Sequence, residues 1–176
     1  MMPPPFELMV TPELIRAAQA GDAQAMSQIL DGLSPWVGRI CGSIAFESGA
    51  DAAQDALIQV FRDLKTLREP AALRGWVRRI ATREAVRHAQ RERKAVAFVR
   101  DVGRSSEIPK PNDPTLITDI RTVLESLSPE QRAILVLRDL EGLSEDEAAQ
   151  VLEVAKGTAK SRLHRARAAF LERWLS

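Results

Sequence analysis

The residues best placed to do chemistry lie between Ser144 and Leu171, where the chain reads SEDEAAQVLEVAKGTAKSRLHRARAAFL. Ser144 and Glu147 form an S-x-x-E capping box that starts a helix, with Ala148, Ala149 and Leu152 on its apolar side. The chain must turn at 153–156, and a second helix restarts at Gly157 or Thr158. Within it Ala159, Leu163, Ala166 and Phe170 recur at the spacing of one buried stripe. At about 100° per residue, Lys160, Ser161, His164 and Arg165 then fall on the opposite, outward side. This chemistry is recognition rather than bond-making. Donors projecting from the N-terminal half of such a helix reach base edges and phosphates in a major groove, and the helix dipole favours phosphate at that end. A solvated amphipathic helix or a basic membrane-surface helix would share the charge, but neither explains the capping box and the restarted helix.

No constellation for catalysis is legible: there is no carboxylate pair, Gly-rich phosphate loop or nucleophile beside a base. A lone Cys41 and two histidines, His88 and His164, leave no zinc set, and Cys41 reads as a packing residue. We therefore expect neither an enzyme nor a metal or other cofactor.

Charge is segregated along the chain. The totals, 25 Lys plus Arg against 24 Asp plus Glu, are nearly balanced. Residues 1–73 nevertheless carry 5 basic and 9 acidic side chains, 74–94 carry 8 and 2, 95–155 carry 6 and 12, and 156–176 carry 6 and 1. Two cationic elements, each beside an acidic stretch, suit a protein that touches nucleic acid at two places and a protein partner elsewhere.

The elements that must position these groups read as helices throughout. Thr11-Pro12, Ser34-Pro35 and Ser128-Pro129 each place a capping hydroxyl before a proline at the first helical position, and Gln131 completes a capping box with Ser128. Leu57, Val60, Phe61 and Leu64 are expected to form a core face in a helix over about 50–65. Leu73, Trp76, Val77, Ile80 and Ala81 are expected to form another, in a helix ending near Lys94. From about 95 to 114 the periodicity fails and RSSEIPKPNDP collects turn formers, which predicts a linker. Fully extended, its roughly 20 residues reach about 70 Å. The final domain begins near Thr118, with Ile120, Val123, Leu124 and Leu127, then Ile134, Leu135 and Leu137, bracing the DNA-reading pair. The expected fold is all-α, two small helical domains (14–94 and 118–172) joined by a flexible linker (95–117). No apolar run approaches the roughly 20 residues of a bilayer span, and MMPPPFELMV has no secretory pattern; a cytoplasmic, nucleoid-associated location without membrane insertion is expected.

These residues carry a resemblance. LSPEQRAILVLRDLEGLSEDEAAQVL followed by KGTAKSRLHRARAAF resembles region 4 of bacterial RNA polymerase sigma factors of the extracytoplasmic-function (ECF) group. AAQDALIQVFRDL and RGWVRRIATREAVRHAQRERK are similar to region 2. The resemblance implies a transcription initiation factor that binds core RNA polymerase, at the clamp of the β′ subunit and the flap of the β subunit. It further implies promoter DNA and a restraining anti-sigma factor as partners. Asp55 and Gln59 would meet the clamp. Arg74, Trp76, Arg78, Arg79 and Arg83, with the loop from Leu67 to Gly75, would engage the −10 element, Trp76 being the aromatic nearest that loop for stacking. Lys160, Ser161, His164 and Arg165 would read the −35 element while Thr158, Arg162 and Arg167 contact phosphate. The chain departs from the group at Glu153, where the turn usually has glycine, at Ala56 and Ile58 in the clamp-binding pattern, and at Arg83 and Arg87 in the basic helix. Two other readings use the same residues: a stand-alone helix-turn-helix regulator, and a helical adaptor that binds protein or RNA.

Overall fold

The computed structural model describes residues 10–101 and 116–175, with the side chains of 99–101 and 116–119 left aside. Eight α-helices follow one another: α1 (Pro12–Gln19), α2 (Ala23–Ala45), α3 (Gly49–Asp63), α4 (Leu73–Asp101), α5 (Leu116–Ser126), α6 (Pro129–Leu135), α7 (Glu145–Val151) and α8 (Lys156–Trp174). There is no strand among the described residues, so the chain is all-α as expected.

The starts of these helices follow from local chemistry. Thr11 caps α1 by accepting from the Leu14 N–H at 3.2 Å. Asp22 caps α2 through the N–H groups of Gln24 and Ala25. Ser128 with Gln131 and Ser144 with Glu147 form complete capping boxes on α6 and α7. Ser34-Pro35, in contrast, does not start a helix: Pro35 lies inside α2. A proline in a helix interior costs about 3 kcal/mol. The unbroken buried face of Met26, Ile29, Leu33, Val37, Ile40 and Ile44 carries α2 through it.

Helices α1 to α4 enclose a first core in which Ile29, Leu33, Val37, Ile40, Val60 and Val77 are fully buried. The α3 face in this core is Ala52, Ala53, Ala56 and Val60, continued by Leu64 just after the helix. Phe61, expected inside, is 56% exposed, and Leu57 is only partly covered. Alanines bring α3 close to α2 and turn its bulky side chains outward. Gly49 takes part in this approach, since a Cβ there would stand 2.7 Å from the Cα of Gly42. On α4, Leu73, Val77, Ile80, Ala81, Ala85 and Ala89 face inward as the periodicity predicts, and the helix runs seven residues past Lys94 to Asp101. The expected linker is shortened at its other end too, because α5 starts at Leu116, and 102–115 lies outside the described residues.

A second, smaller core joins Ile134, Leu137, Leu143, Ala148, Ala149, Ala159, Leu163 and Ala166. Between α6 and α7 the chain makes one π-helical turn, Val136–Leu140, and leaves it through Gly142, whose φ of +71° favours glycine. The two cores touch, because Ala133 and Val136 of the second half pack into the first cluster.

Candidate nucleic-acid interface

The C-terminal site is built on α7 and α8. Ala159, Leu163 and Ala166 of α8 are buried against α6 and α7, as their spacing requires. This seats the helix and leaves Thr158, Lys160, Ser161, His164 and Arg165 exposed. α8 begins at Lys156, one residue earlier than its sequence suggests, and Ala155 provides no side-chain cap, so its first-turn N–H groups are available to an anion. The turn before it is held by Glu153 at φ +54°. Glu153 therefore occupies the left-handed conformation that a glycine would take without strain. An ion pair of 2.8 Å from Lys156 Nζ to Asp146 Oδ1 ties α8 to α7.

Two of the expected phosphate contacts stand apart from this exposed face. Arg167 pairs with Asp139 in the π-turn. Arg162 lines a cleft of about 400 Å³ between the two halves, with Arg79, Arg83 and Arg87 on the opposite wall. On the exposed face, the Ser161 hydroxyl donates to the Thr158 carbonyl at 3.0 Å, and Arg165 Nε donates to the Ser161 carbonyl at 3.3 Å. Both side chains are thus held close to the helix surface.

The N-terminal site is α4 with the loop before it. Gln19 fixes that loop by donating to the Leu64 and Leu67 carbonyls at 2.9 and 2.7 Å. Arg74 and Arg78 lie over the ring of Trp36, at 5.6 and 5.4 Å from its centroid. Trp36, which motif reading did not single out, is thus the aromatic beside these arginines. Trp76 packs partly buried against the first core. Its place on the apolar face of α4 and the position of Trp36 one turn after Leu33 on α2 are readable in the sequence; the meeting of α2 and α4 that pairs Trp36 with the arginines is not.

Glu141 is the strongest electrostatic feature near this site. Its side chain is 1% exposed. It accepts from Trp36 Nε1 at 3.0 Å, from Arg39 Nη2 at 3.0 Å and from Arg78 Nε at 3.3 Å. Burial raises its pKa, but the hydrogen bonds from Trp36 and Arg39 and the charge of Arg78 outweigh burial and hold the carboxyl below its ordinary value.

Asp55 and Gln59, expected to meet the clamp, are engaged within the domain. Asp55 Oδ2 lies 2.8 Å from His88 Nε2 and 3.2 Å from Arg87 Nη2, and Gln59 Nε2 donates to Asp63 at 3.4 Å. The His88 hydrogen bond lowers the Asp55 pKa, aided by the charge of Arg87. Arg87 also pairs with the buried Glu84, which gives this departure from the group pattern a structural role. Asp55 nevertheless keeps 43% of its side-chain exposure, and the exposed large apolar residues of α3 are Ile58 and Phe61, beside a groove reaching Leu30 and Gly38 of α2. An exposed apolar patch next to a groove marks a binding surface.

Comparison with known proteins fits this geometry. A family model for Sigma-70 region 2 matches residues 32–95, and one for Sigma-70, region 4 matches 117–170. The chain is 32% identical over 163 residues to the ECF RNA polymerase sigma factor SigM of Mycobacterium tuberculosis, covering 89% of this chain and 80% of SigM. The chain belongs to the ECF sigma factors. It is also 39% identical over 125 residues to the ECF RNA polymerase sigma factor SigE of Mycolicibacterium smegmatis, a match covering 66% of this chain and about half (48%) of SigE. Among solved structures, the sigma factor RpoE in complex with the anti-sigma factor NepR from Bartonella quintana is similar at a TM-score of 0.65 and 24% identity. That match covers 86% of this chain and 97% of RpoE. CnrH in complex with the cytosolic domain of CnrY is similar at 0.61 and 21% identity, over 91% of this chain and 94% of CnrH, and both likenesses bear on the fold. No helix among the described residues is long and apolar enough to cross a membrane.

Proposed function

We propose that this ECF sigma factor binds core RNA polymerase and directs it to promoters through two separate DNA contacts. The observation that carries the reading is the exposed, uncapped, basic face of α8 within a region 4 match, set in the same chain as an arginine-lined α4 within a region 2 match. The working units are 14–94 and 118–172. Lys160, Ser161, His164 and Arg165 read base edges of the −35 element, and Thr158 and the α8 N-terminus take phosphate. Arg162 and Arg167 join them once their intramolecular positions are given up. Arg74, Arg78, Arg79 and Arg83 engage the −10 element. Trp76, only partly buried on α4, is the stacking candidate beside the loop that precedes α4, while Trp36 is buried and carries Arg74 and Arg78 on its ring.

Clamp binding is centred on the α3 surface that carries Asp55 and Gln59 together with Ile58 and Phe61, with Asp55 oriented by His88 and Arg87. The second half docks on the β flap. RpoE is bound by the anti-sigma factor NepR and CnrH by the cytosolic domain of CnrY, and we assign this chain a restraining anti-sigma partner. The factor acts at the nucleoid and supplies recognition, leaving bond-making to polymerase.

A single helix-turn-helix makes few base contacts, whereas specific sites need about 4–10 kcal/mol beyond non-specific binding. Holding two such domains on one polymerase supplies the difference. Transcription of fragmented genomic DNA by purified core polymerase, with and without the protein, tests this. New starts sharing two upstream elements at fixed spacing support the reading. No new starts, together with polymerase-independent binding to a palindrome, would replace it with a stand-alone regulator.

A further inference from the structure

The cleft of about 400 Å³ between α4 and the second half is cationic on both walls: Arg79, Arg83 and Arg87 of α4 and Arg162 of α8 line it, against two carboxylates, Glu130 and Glu153. Arg87 is held by Asp55 and Glu84, and Arg79 Nη1 lies 3.8 Å from Glu153 Oε1. Arg83 and Arg162 form no ion pair among the described residues, so positive charge is left over in the cleft. Thr82 lines the same cleft beside Arg83. It is 1% exposed, yet its hydroxyl oxygen has no hydrogen-bond partner. Buried hydroxyls are normally satisfied, and this one points to an acceptor that the chain does not itself supply. Val86, Val151, Leu152 and Val154 give the cleft an apolar wall as well. A cavity of this size, part apolar and with a few convergent donors, suits a small ligand. Arg83 and Arg87 are two of the positions at which the chain departs from its group, so this cationic wall is not part of the group's common pattern.

We propose that this cleft binds a guanine nucleotide carrying a pyrophosphate group. Arg83 and Arg162 take the phosphates from opposite walls through charge-assisted hydrogen bonds, and the Thr82 hydroxyl donates to a phosphate oxygen. The base lies on the apolar wall, where Glu130 selects it. Gln90 donates to the Glu130 carboxylate and orients it. Burial pushes the Glu130 pKa up, but the bonds from Gln90, its own N–H and Ser128, with the charge of Arg162, outweigh burial and hold the carboxyl below its ordinary value. Glu130 is therefore ionised at neutral pH and acts only as an acceptor. Guanine offers such a carboxylate two adjacent donors, N1–H and the N2 amino group. Adenine offers one donor beside an acceptor lone pair, which a carboxylate rejects. The site stands on the cleft alone and does not depend on the assignment of α4 to promoter DNA.

The test titrates the full chain, without DNA or polymerase, with GDP and ADP carrying a fluorescent N-methylanthraniloyl group on the ribose. Saturable binding is expected, with GDP held about tenfold more tightly than ADP. Arg83→Ala and Arg162→Ala should each weaken GDP binding about tenfold, and Thr82→Val, which removes the hydroxyl and keeps the side chain's shape, about threefold. Glu130→Gln should abolish the preference for GDP over ADP. Circular dichroism and the unfolding midpoint report whether each variant keeps its fold. No saturable binding of GDP up to about 1 mM would overturn the site, as would binding that neither Thr82→Val nor the folded arginine variants weaken. Equal affinity of the parent for GDP and ADP, or displacement of GDP by an equal concentration of inorganic pyrophosphate, would overturn guanine recognition.

Discussion

Trp36 Nε1 donates to Glu141 Oε2 over 3.0 Å, joining residues 105 positions apart and binding a core tryptophan of the first half to a buried carboxylate of the second. The groups facing that carboxylate from α2 and α4, Trp36, Arg39 and Arg78, are all donors. Because the Glu141 pKa is held below its ordinary 4.5, the stabilisation that this contact gives is complete above that value and is lost as pH falls through the lowered pKa. Small-angle scattering from pH 7 downward should show the radius of gyration rising only in the acid range, and rising earlier in Arg39→Gln. An equal profile in Glu141→Gln would contradict this.

Replacing Arg165 by alanine removes an exposed donor from the α8 reading face without touching the core. Loss of one base-edge contact is worth about 1–3 kcal/mol, so promoter-directed transcription should fall about tenfold to a hundredfold. Thermal unfolding should barely move, as for other surface substitutions. Arg162→Ala should instead weaken binding evenly across sequences and flatten the dependence on salt.

Glu153→Gly should stabilise the protein by about 0.5–1 kcal/mol, since it releases left-handed strain of about 1–2 kcal/mol and returns part of it as added freedom of the unfolded chain. The Arg79 ion pair it removes is half-exposed and of little worth. Urea unfolding measures the shift; a loss of stability would show that Glu153 is held by something beyond the turn.

Phe61→Ser should lower affinity for core polymerase while leaving the unfolding midpoint within a few degrees, because the ring it removes is 56% exposed and outside the first core. Fluorescence titration with core polymerase measures it. A large drop in stability with unchanged affinity would place Phe61 in packing, as its spacing alone suggests.

Cys41 should resist alkylation at pH 8 in the native state. Burial, reinforced by Glu84, pushes its thiol up to about 12, leaving almost no thiolate. Iodoacetamide labelling followed by mass spectrometry should proceed only as fast as the protein opens, and rapid labelling of folded protein would contradict the burial.

Much of this architecture is legible because local signals coincide with it. The Ser144–Glu147 box, the turn at Glu153 and the Ala159, Leu163, Ala166 stripe are each set by near neighbours, and the exposed face of α8 follows from them. Alanine-rich helices are harder to read. On α3, small residues allow close approach to α2, so the buried stripe runs through Ala52, Ala53 and Ala56 and turns Phe61 outward, against the rule that large apolar groups define the core. Pro35 shows a strong local signal overridden by a long continuous burial face. Contacts across a hundred residues, such as Trp36 with Glu141, leave no local trace, since each partner is ordinary in its own helix.

Recognition of two promoter elements by the two halves of one chain is tested most directly by tethered cleavage. Ser161→Cys and Arg83→Cys, each carrying an iron chelate, would be assembled with core polymerase on a promoter whose start has been mapped. Cuts from position 161 should be confined near −35 and cuts from position 83 near −10. Cuts from both positions at one and the same upstream site, or cleavage that persists unchanged without polymerase, would contradict it.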